Sequence, residues 1–198
     1  DARHRHLVSS TRFVFNYAMA WREFGDPDYR EAMLHGLRYL REVHLDTETG
    51  GYAWTIREGV PEDRTNHCYG LAFVLLAYSH ARMAGVAEAA DWMEEVWTLL
   101  EARFWEAEHG LYRDEADADW NFSAYRGQNA NMHACEAMFP AFRATGERRY
   151  IERPEQLARG ICQRQAALST AALAPAAEDW VWEHYHSAWS VVCDSNRH

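Results

Sequence analysis

Residues 66–85 read NHCYGLAFVLLAYSHARMAG. After its polar start the stretch is almost wholly apolar as far as Met83, which predicts a helix that is buried on several sides. Gly85 closes this helix, and Gly25 and Gly146 close similar apolar stretches 60 residues earlier and 61 residues later. A second helix is expected after each of the three glycines, so one helix-pair unit recurs along the chain.

A second marker repeats with the same period. Gly50 and Gly110 are also 60 residues apart, and each precedes a short hairpin-like stretch that contains Tyr52 or Tyr112. Pro154 falls inside the last expected helix, where proline costs about 3 kcal/mol or more unless the helix restarts there. The expected helices, in pairs, cover residues 6–24 and 27–43, residues 66–83 and 87–105, and residues 129–145 and 147–165.

The two helices of each pair differ in polarity, since the first is the more apolar and the second is amphipathic. This difference predicts two concentric layers, with the first helices inside, in an all-α (α/α)6 barrel of helix pairs with short β-hairpins. Six pairs close such a toroid and three are visible. Residues 1–198 are therefore interpreted as a single domain that forms the N-terminal and central part, about half, of the barrel. The chain begins without an initiator Met and ends where another unit is expected, so it resembles part of a longer protein.

Charge, apolar content and cysteine spacing indicate which partners, cofactors and compartments to expect. The net charge of −10 argues against nucleic acid as a partner. No run of about 18 apolar residues occurs, so no membrane span is expected. No metal or cofactor is expected, and the oligomeric state is left open. Reduced thiols in the cytoplasm are expected, because no metal-site or disulfide spacing relates the four cysteines. These cysteines are Cys68, Cys135, Cys162 and Cys193.

Polar residues interrupt the third inner helix, where residues 126–133 read RGQNANMH. Superposition of the repeats through their turn glycines places Arg12, Ala72 and His133 at the same point, and Asn129 lies one turn before His133 on the same face. Arg and Asn can orient hydroxyl groups and His exchanges a proton near neutral pH, so the set suits a polyhydroxylated ligand. Taken alone, His133 is better explained as a satisfied buried histidine and Arg12 as an ion-pair partner, but their coincidence in register favours a site.

Two further segments carry candidate residues. Tyr69 starts the second inner helix beside Cys68 and could line the rim of the site, although its spacing also fits an aromatic core stripe. Cys68 is interpreted as a packing thiol. Residues 183–186, EHYH, offer a carboxylate and two histidines, and strand alternation predicts Glu183 and Tyr185 on one face. The two histidines could bind a metal on the other face, but no third ligand is evident.

Four stretches resemble the N-acylglucosamine 2-epimerase superfamily. The similarity covers nearly the whole chain and is most specific around Asn129 and His133. It implies an (α/α)6 barrel and, in the isomerase branch of the family, cofactor-free interconversion of an aldose and a ketose, here D-mannose and D-fructose. Histidines act as acid and base and the reaction passes through an ene-diol. The stretches are residues 5–13, RHLVSSTRF; residues 66–77, NHCYGLAFVLLA; residues 125–133, YRGQNANMH; and residues 182–185, WEHY.

By resemblance, Arg12, Asn129 and His133 fall on substrate-site positions, and Tyr69 and Glu183 are further candidates for binding the monosaccharide. The two histidines that usually have the acid–base role lie in the C-terminal half of the family, beyond this sequence. His133 is therefore the catalytic candidate of this chain, as a ligand orienter or ring-opening assistant rather than as the principal base.

Two other functions stay open at this stage. A 2-epimerase acting on an N-acyl hexosamine or a cellobiose-type disaccharide would share the fold and the proton abstraction. A helical repeat that binds a protein or glycan without catalysis would tolerate the loss of His133. Half a barrel is also expected to have little turnover by itself, and its uncovered inner surface is expected to include Phe73, Leu75 and Leu76.

Overall fold

Three helix pairs build the protein. The computed structural model describes residues 3–168 and 181–192 of the 198-residue chain. The helix pairs have the predicted order, and their starts and turns lie close to the predicted positions. Within the described ranges the α-helices are α1 Leu7–Phe24, α2 Pro27–Tyr39, α3 Cys68–Met83, α4 Ala89–Leu99, α5 Gln128–Thr145 and α6 Arg149–Arg159.

The helices form two layers. α3 lies between α1 and α5, and each of these three inner helices packs against the outer helix that follows it in sequence. Eleven of the sixteen residues of α3 are buried, including Leu71, Val74 and Tyr78, because inner and outer neighbours cover several of its sides. The predicted burial of α3 on several sides is therefore confirmed.

Each outer helix ends in a π-helical turn, at Leu40–His44, Leu100–Phe104 and Gly160–Gln165. These turns repeat with the 60-residue period, and they bury residues such as His44 and Phe104. Periodicity missed them, because a wider turn at a helix end hardly changes the apolar spacing over so few residues. Each predicted outer helix therefore includes an α-helical part and its π-helical end.

The turn glycines end the inner helices at slightly different points. Gly25 and Gly146 are the C-caps of α1 and α5, with φ of +67° and +75°, a left-handed conformation that glycine adopts without strain. In α3 the C-cap is Ala84, and Gly85 follows it. α3 also has 16 residues, against 18 in α1 and α5. The distance from the turn glycine back to the helix start therefore differs among the repeats.

Short antiparallel strands hold the start of each inner helix. The strands of the described residues are β1 His4–His6, β2 Thr55–Arg57, β3 Val60–Asp63, β4 Asn66–His67, β5 Trp105–Glu106, β6 Leu111–Tyr112, β7 Glu115–Ala116, β8 Arg126–Gly127 and β9 His184–Tyr185. β1, β4 and β8 directly precede α1, α3 and α5 and pair with β2, β7 and β9. β2 also pairs with β3, and β5 and β6 form the hairpin predicted around Tyr112.

Pro154 lies inside α6, as its place in the expected outer helix predicts, and the helix does not restart there. Its buried ring packs beside α5, where its carbonyl oxygen accepts a weak hydrogen bond from Cys135 Sγ at 3.8 Å, so packing offsets the missing N–H. The expectation that Phe73, Leu75 and Leu76 lie uncovered is wrong. Phe73 and Leu75 are buried, with 5% and 0% exposure, and Leu76 is half-buried, because α1 and α5 flank α3. The exposed apolar side chains of the inner layer lie on α1 and α5 instead, and include Phe13, Met19, Met132 and Phe139.

The described residues also include three of the four cysteines, and they can be searched for membrane-spanning helices and metal-binding clusters. Cys68, Cys135 and Cys162 are free, and Cys193 lies outside the described residues, as does Trp180 of the aromatic run before Glu183. No helix within residues 3–168 and 181–192 is long and apolar enough to cross a membrane. The same ranges contain no group of three or more His, Cys, Asp or Glu side chains that could hold a metal ion.

Candidate functional site

Three inner helices each bring one residue to the same level. Arg12, Phe73 and His133 are the sixth residues of α1, α3 and α5. The guanidinium carbon of Arg12 lies 4.9 Å from the centre of the Phe73 ring, and the ring centres of Phe73 and His133 are 5.1 Å apart. The structure thus brings the Arg12 and His133 side chains to one aromatic ring.

The register of the middle repeat differs by one residue from the expected one. Superposition through the turn glycines predicts Ala72 at this level, but Ala72 is buried in the core and Phe73 takes the position. The helix starts align the repeats better than the turn glycines do, because short strands fix the starts in place. The turn glycines are a poorer reference, since α3 has two residues fewer than α1 and α5. A phenyl ring therefore separates the arginine from the histidine, where the sequence predicted a small residue.

Glu136 holds the His133 imidazole in one orientation. Glu136 Oε2 lies 2.8 Å from His133 Nδ1, one turn further along α5. Because an ionised carboxylate only accepts hydrogen bonds, Nδ1 carries a proton in this contact, and in the neutral form of the imidazole Nε2 is then the acceptor. Tyr69 packs edge-on against the imidazole, with ring centres 4.9 Å apart. Glu136 was not predicted from the sequence, although its i, i+3 spacing from His133 was an available signal.

The polar run of residues 126–133 contains a buried anchor at its start. Arg126 donates two hydrogen bonds to the carboxylate of Glu106, each at 2.9 Å, and Trp189 Nε1 donates a third at 3.0 Å. Burial opposes ionisation of Glu106, but the hydrogen bonds from Arg126 and Trp189 outweigh it and hold the pKa of Glu106 below its usual range. Arg126 is thus a structural residue that fixes the entry to α5.

The two asparagines of the run have different surroundings. Asn131 is buried, its Oδ1 accepts the Tyr112 N–H at 2.8 Å, and its Nδ2 donates to the carbonyl oxygens of Tyr112 and Gly127 at 3.0 and 3.1 Å. Asn129 is only half-buried, as is His133 one turn later. Unlike Asn131, Asn129 and His133 are therefore accessible polar members of the run, as is Gln128.

A row of aromatic rings continues from Tyr69 along the starts of the inner helices. The Trp54 ring centre lies 4.1 Å from that of His6, 4.0 Å from that of His67 and 6.2 Å from that of Tyr69. Burial lowers the pKa of both histidines, although the charge of Glu115 opposes this at His67, so both are mainly neutral at pH 7. The sequence analysis missed His6 and Trp54, because only the pairing of β1 with β2 brings them together.

Glu183 lies just before β9, beside the start of α5. Its carbonyl oxygen accepts the Gln128 N–H at 3.0 Å, and its exposed carboxylate lies 4.0 Å from His184 Nε2. Tyr125 Oη and His184 Nδ1 are 2.8 Å apart. Tyr185 is fully buried whereas Glu183 is exposed, so the alternation that predicts them on one face is not observed. The reason is that β9 has only two residues.

A partly buried carboxyl group that the sequence analysis missed supports the same helix starts. Asp114 Oδ2 accepts the Gly127 N–H at 2.5 Å, and the carbonyl oxygen of Asp114 accepts the Cys68 N–H at 2.8 Å. Burial raises the pKa of Asp114 to about 7, since the Gly127 hydrogen bond and the Arg126 charge only partly offset the loss of water. Asp114 thus joins the start of α3 to the start of α5.

Paired helices in two layers define an α/α-barrel fold, and polar and aromatic side chains gather at one end of its inner layer. The chain belongs to the N-acylglucosamine 2-epimerase family, whose model matches residues 1–198. It is 50% identical to the D-mannose isomerase of Marinomonas mediterranea over 198 residues, which are 100% of this chain and 48% of that relative. It is 26% identical to the cellobiose 2-epimerase of Dictyoglomus turgidum over 164 residues, covering 76% of this chain and 42% of the relative.

Solved structures agree with this assignment. A crystal structure of D-mannose isomerase matches with a TM-score of 0.92 and 49% identity, over 100% of this chain and 49% of that one. The cellobiose 2-epimerase of Spirochaeta thermophila matches with a TM-score of 0.83 and 25% identity, over 95% of this chain and 48% of the other. The chain spans about half the length of the curated relatives it matches. The prediction of an (α/α)6-barrel fold, about half of it present, is confirmed.

Proposed function

We propose that this chain supplies a sugar-binding face of an aldose–ketose isomerase that interconverts D-mannose and D-fructose. The observation that carries the proposal is the shared level of Arg12 and His133 on either side of the Phe73 ring. The 50% identity with a D-mannose isomerase over the whole chain supports this choice of sugar. The cytoplasm is the proposed location, because reduced thiols such as Cys68 and Cys135 are typical of that compartment.

The proposed roles follow from the chemistry of each side chain. Arg12 donates several N–H groups in a fixed plane and Asn129 offers both a donor and an acceptor, so the two can orient sugar hydroxyls. The half-buried ring of Tyr69 offers apolar surface to the C–H groups of the sugar, while the buried Phe73 ring packs between Arg12 and His133. Glu183, exposed beside the start of α5, is proposed to accept a hydroxyl at the rim of the site.

His133 is the proposed proton-transfer residue of this face. With Nδ1–H bound to Glu136, Nε2 is left to accept a hydroxyl proton from the sugar and to return it as the ring opens. Isomerisation itself then moves a proton between C1 and C2 of the open-chain sugar through an ene-diol. Such a step requires a base within hydrogen-bond reach of the C2 proton. The resemblance gives that base to histidines outside this chain, so His133 is proposed to orient the sugar and to assist ring opening.

Epimerisation at C2 is the second candidate, because the family also contains cellobiose 2-epimerases at 26% identity. The same face would serve it, since both reactions begin by removing the C2 proton. The difference between 50% and 26% identity favours the isomerase.

Binding to the chain itself tests the proposed face. D-mannose is titrated into the isotope-labelled chain and followed by NMR. Cellobiose and N-acetylglucosamine are titrated in the same way, to test the alternative substrates. Saturable shifts at Arg12 and Asn129 are expected for D-mannose, and H133A is expected to lose them while H186A, at an exposed histidine, keeps them. A repeat that binds no sugar would show no saturable shift, and preference for cellobiose would favour the epimerase.

Product analysis tests the reaction. In deuterated water, D-fructose as the main product from D-mannose supports the isomerase, whereas a deuterated C2 epimer supports the epimerase. The 198-residue chain by itself is expected to turn over slowly, because a well-placed acid or base contributes about 10²–10⁴-fold and the resemblance places two outside it. Rapid turnover by the monomeric chain would instead make His133 the principal base.

A further inference from the structure

Trp54 lies in a loop whose backbone is tied to two other segments. Its N–H donates a hydrogen bond to the carbonyl oxygen of Asp63 at 2.8 Å. Its own carbonyl oxygen accepts the N–H of Leu7, the first residue of α1, at 2.9 Å. The backbone of Trp54 is therefore fixed beside the start of α1, and this limits where its side chain can lie.

The indole ring of Trp54 lies directly against the first turn of α3. A Cβ atom at Gly70 would lie 3.1 Å from Cζ3 of the indole and 2.9 Å from Leu7 Cδ2, which is closer than most such contacts. The missing side chain of glycine therefore allows this close approach. Gly70 is the third residue of α3 and directly follows Tyr69, so the indole packs beside the residue that precedes it.

Two imidazole rings also pack against the indole. The ring centres of His6 and His67 lie 4.1 and 4.0 Å from that of Trp54. His67 is itself restrained, because its Nδ1 lies 3.3 Å from Glu115 Oε2 and the two residues pair across β4 and β7. Contacts from the starts of α1 and α3 thus hold the indole in one place.

Tyr69 receives a contact from this fixed indole. It is the second residue of α3, and helical side chains lean towards the N-terminus, so its half-buried ring projects beyond the helix start. Its ring centre lies 5.1 Å from that of Phe73, one turn further into the helix, and 6.2 Å from that of Trp54. Both distances are typical of aromatic pairs. Trp54 therefore restrains the Tyr69 ring from the side of the loop, where α3 offers no earlier turn.

Tyr69 in turn packs against the proposed proton-transfer residue. Its ring and the imidazole of His133 are 4.9 Å apart and inclined by 85°. We propose that Trp54 is a positioning residue, which holds Tyr69 edge-on against His133 and thereby orients the sugar-binding face. This role rests on the proposed function, because Tyr69 and His133 belong to that face. Trp54 acts through Tyr69 and requires no contact with the sugar.

The contact between the two rings can be tested without any sugar. Nuclear Overhauser cross-peaks between the ring protons of Tyr69 and His133 are expected in the 198-residue chain and are expected to be lost in W54A. The matched control is W97A, which removes another half-buried tryptophan, from the outer helix α4, and is expected to keep the cross-peaks.

A second variant separates positioning from folding. W54L fills more of the space than W54A and takes its place if circular dichroism shows that W54A has lost its helices. H67A leaves Trp54 in the chain but removes one of its imidazole neighbours, so it is expected to weaken the cross-peaks by less than W54A does. Unchanged cross-peaks in W54A, or loss of the helices in both W54A and W54L, overturns the proposal.

The affinity for D-mannose tests whether this placement serves the site. W54A is expected to weaken binding by about three- to tenfold, the range that loss of an aromatic pair predicts. W97A is expected to bind as the original chain does, and W54F, which keeps a ring at this position, is expected to recover part of the loss. Lost cross-peaks with undiminished affinity in W54A overturn the proposal. If the original chain binds no D-mannose, the proposed function fails, whereas the cross-peaks still decide whether Trp54 places Tyr69.

Discussion

The two ends of the inner helices differ in how they use the repeat. At the C-terminal end, Arg22, Arg82 and Arg143 each lie three residues before the turn glycine, so the repeat places one cation at every helix end. Such cations interact favourably with the partial negative charge of a helix C-terminus. At the N-terminal end, Trp54 and Asp114 come from loops that differ between repeats. The repeat thus determines the residues at the C-terminal ends of the inner helices. At the N-terminal ends, residues that differ between the repeats form the candidate site.

The titratable groups of the two ends respond oppositely to pH. At the C-terminal end, burial lowers the pKa of His80 to about 4, and the charges of Arg22 and Arg143 act in the same direction. At the N-terminal end, burial raises the pKa of Asp114 to about 7. Burial therefore favours the neutral form of His80 at one end and of Asp114 at the other. Substitution of each residue can separate their contributions to the pH dependence of stability.

The largest expected effect concerns the two asparagines of α5 at the N-terminal end. N131A is expected to lower the free energy of unfolding by about 2–4 kcal/mol, because it leaves the N–H and the carbonyl oxygen of Tyr112 without their partner. N129A, two residues nearer the helix start, is the matched control and is expected to change the free energy of unfolding by about 0.5 kcal/mol or less. Urea unfolding of both variants measures the difference, and equal losses would show that the two residues have equivalent roles.

The next effect separates charge from hydrogen bonding at Asp114. Its pKa is about 7 in the folded protein and about 4 in an unfolded chain, so the folded state binds the proton more tightly. Stability is therefore lost as pH rises from about 4 to about 7. D114N keeps an acceptor for Gly127 and removes the charge, so relative to the original chain it should gain stability with rising pH, by about 4 kcal/mol at most.

Thermal unfolding at a series of pH values measures this gain. D119N is the control, since Asp119 is an exposed carboxylate in the next loop. Parallel pH profiles for D114N and the original chain would mean that Asp114 titrates normally in the folded protein.

A smaller effect of opposite sign is expected at the C-terminal end. The pKa of His80 is about 4 in the folded protein, below the usual 6.5, so the unfolded chain binds the proton more tightly. Stability is then lost as pH falls from about 6.5 towards about 4. H80L is expected to reduce this acid-side loss, whereas H35L, at an exposed histidine, should leave it unchanged. Denaturant unfolding at acidic and neutral pH checks the sign, and an unchanged acid-side slope in H80L would contradict it.

The smallest expected change in stability accompanies a clear spectroscopic one. E136A is expected to alter the free energy of unfolding by less than about 0.5 kcal/mol, because Glu136 is exposed. It should nevertheless release the His133 imidazole from its Nδ1–H form, which nitrogen NMR shifts of the neutral ring report directly. E152A removes another exposed carboxylate that pairs along a helix, and it is expected to leave His133 as it was. An unchanged tautomer in E136A would mean that Glu136 does not orient the ring.

Much of the fold could be predicted because its signals are local. Turn glycines such as Gly25 and Gly146 need a left-handed backbone, and apolar spacing marks helix faces, so both follow from short stretches of sequence. The level of the middle helix could not be predicted in the same way. It depends on where the strands hold each helix start, and this made Phe73 rather than Ala72 the neighbour of Arg12.

By itself, the sequence determined the repeat, the two layers and the set of polar residues on α5, because spacing and residue type encode these properties. Only the tertiary structure decided which of those residues are buried and which are accessible. Asn131 turns inward because Tyr112, 19 residues earlier, packs beside it and presents its backbone groups. Asn129 and His133 do not bind the backbone groups of Tyr112, and both are half-buried on the inner helix. A buried backbone group must find a partner, and which side chain provides it depends on contacts that no period in the sequence records.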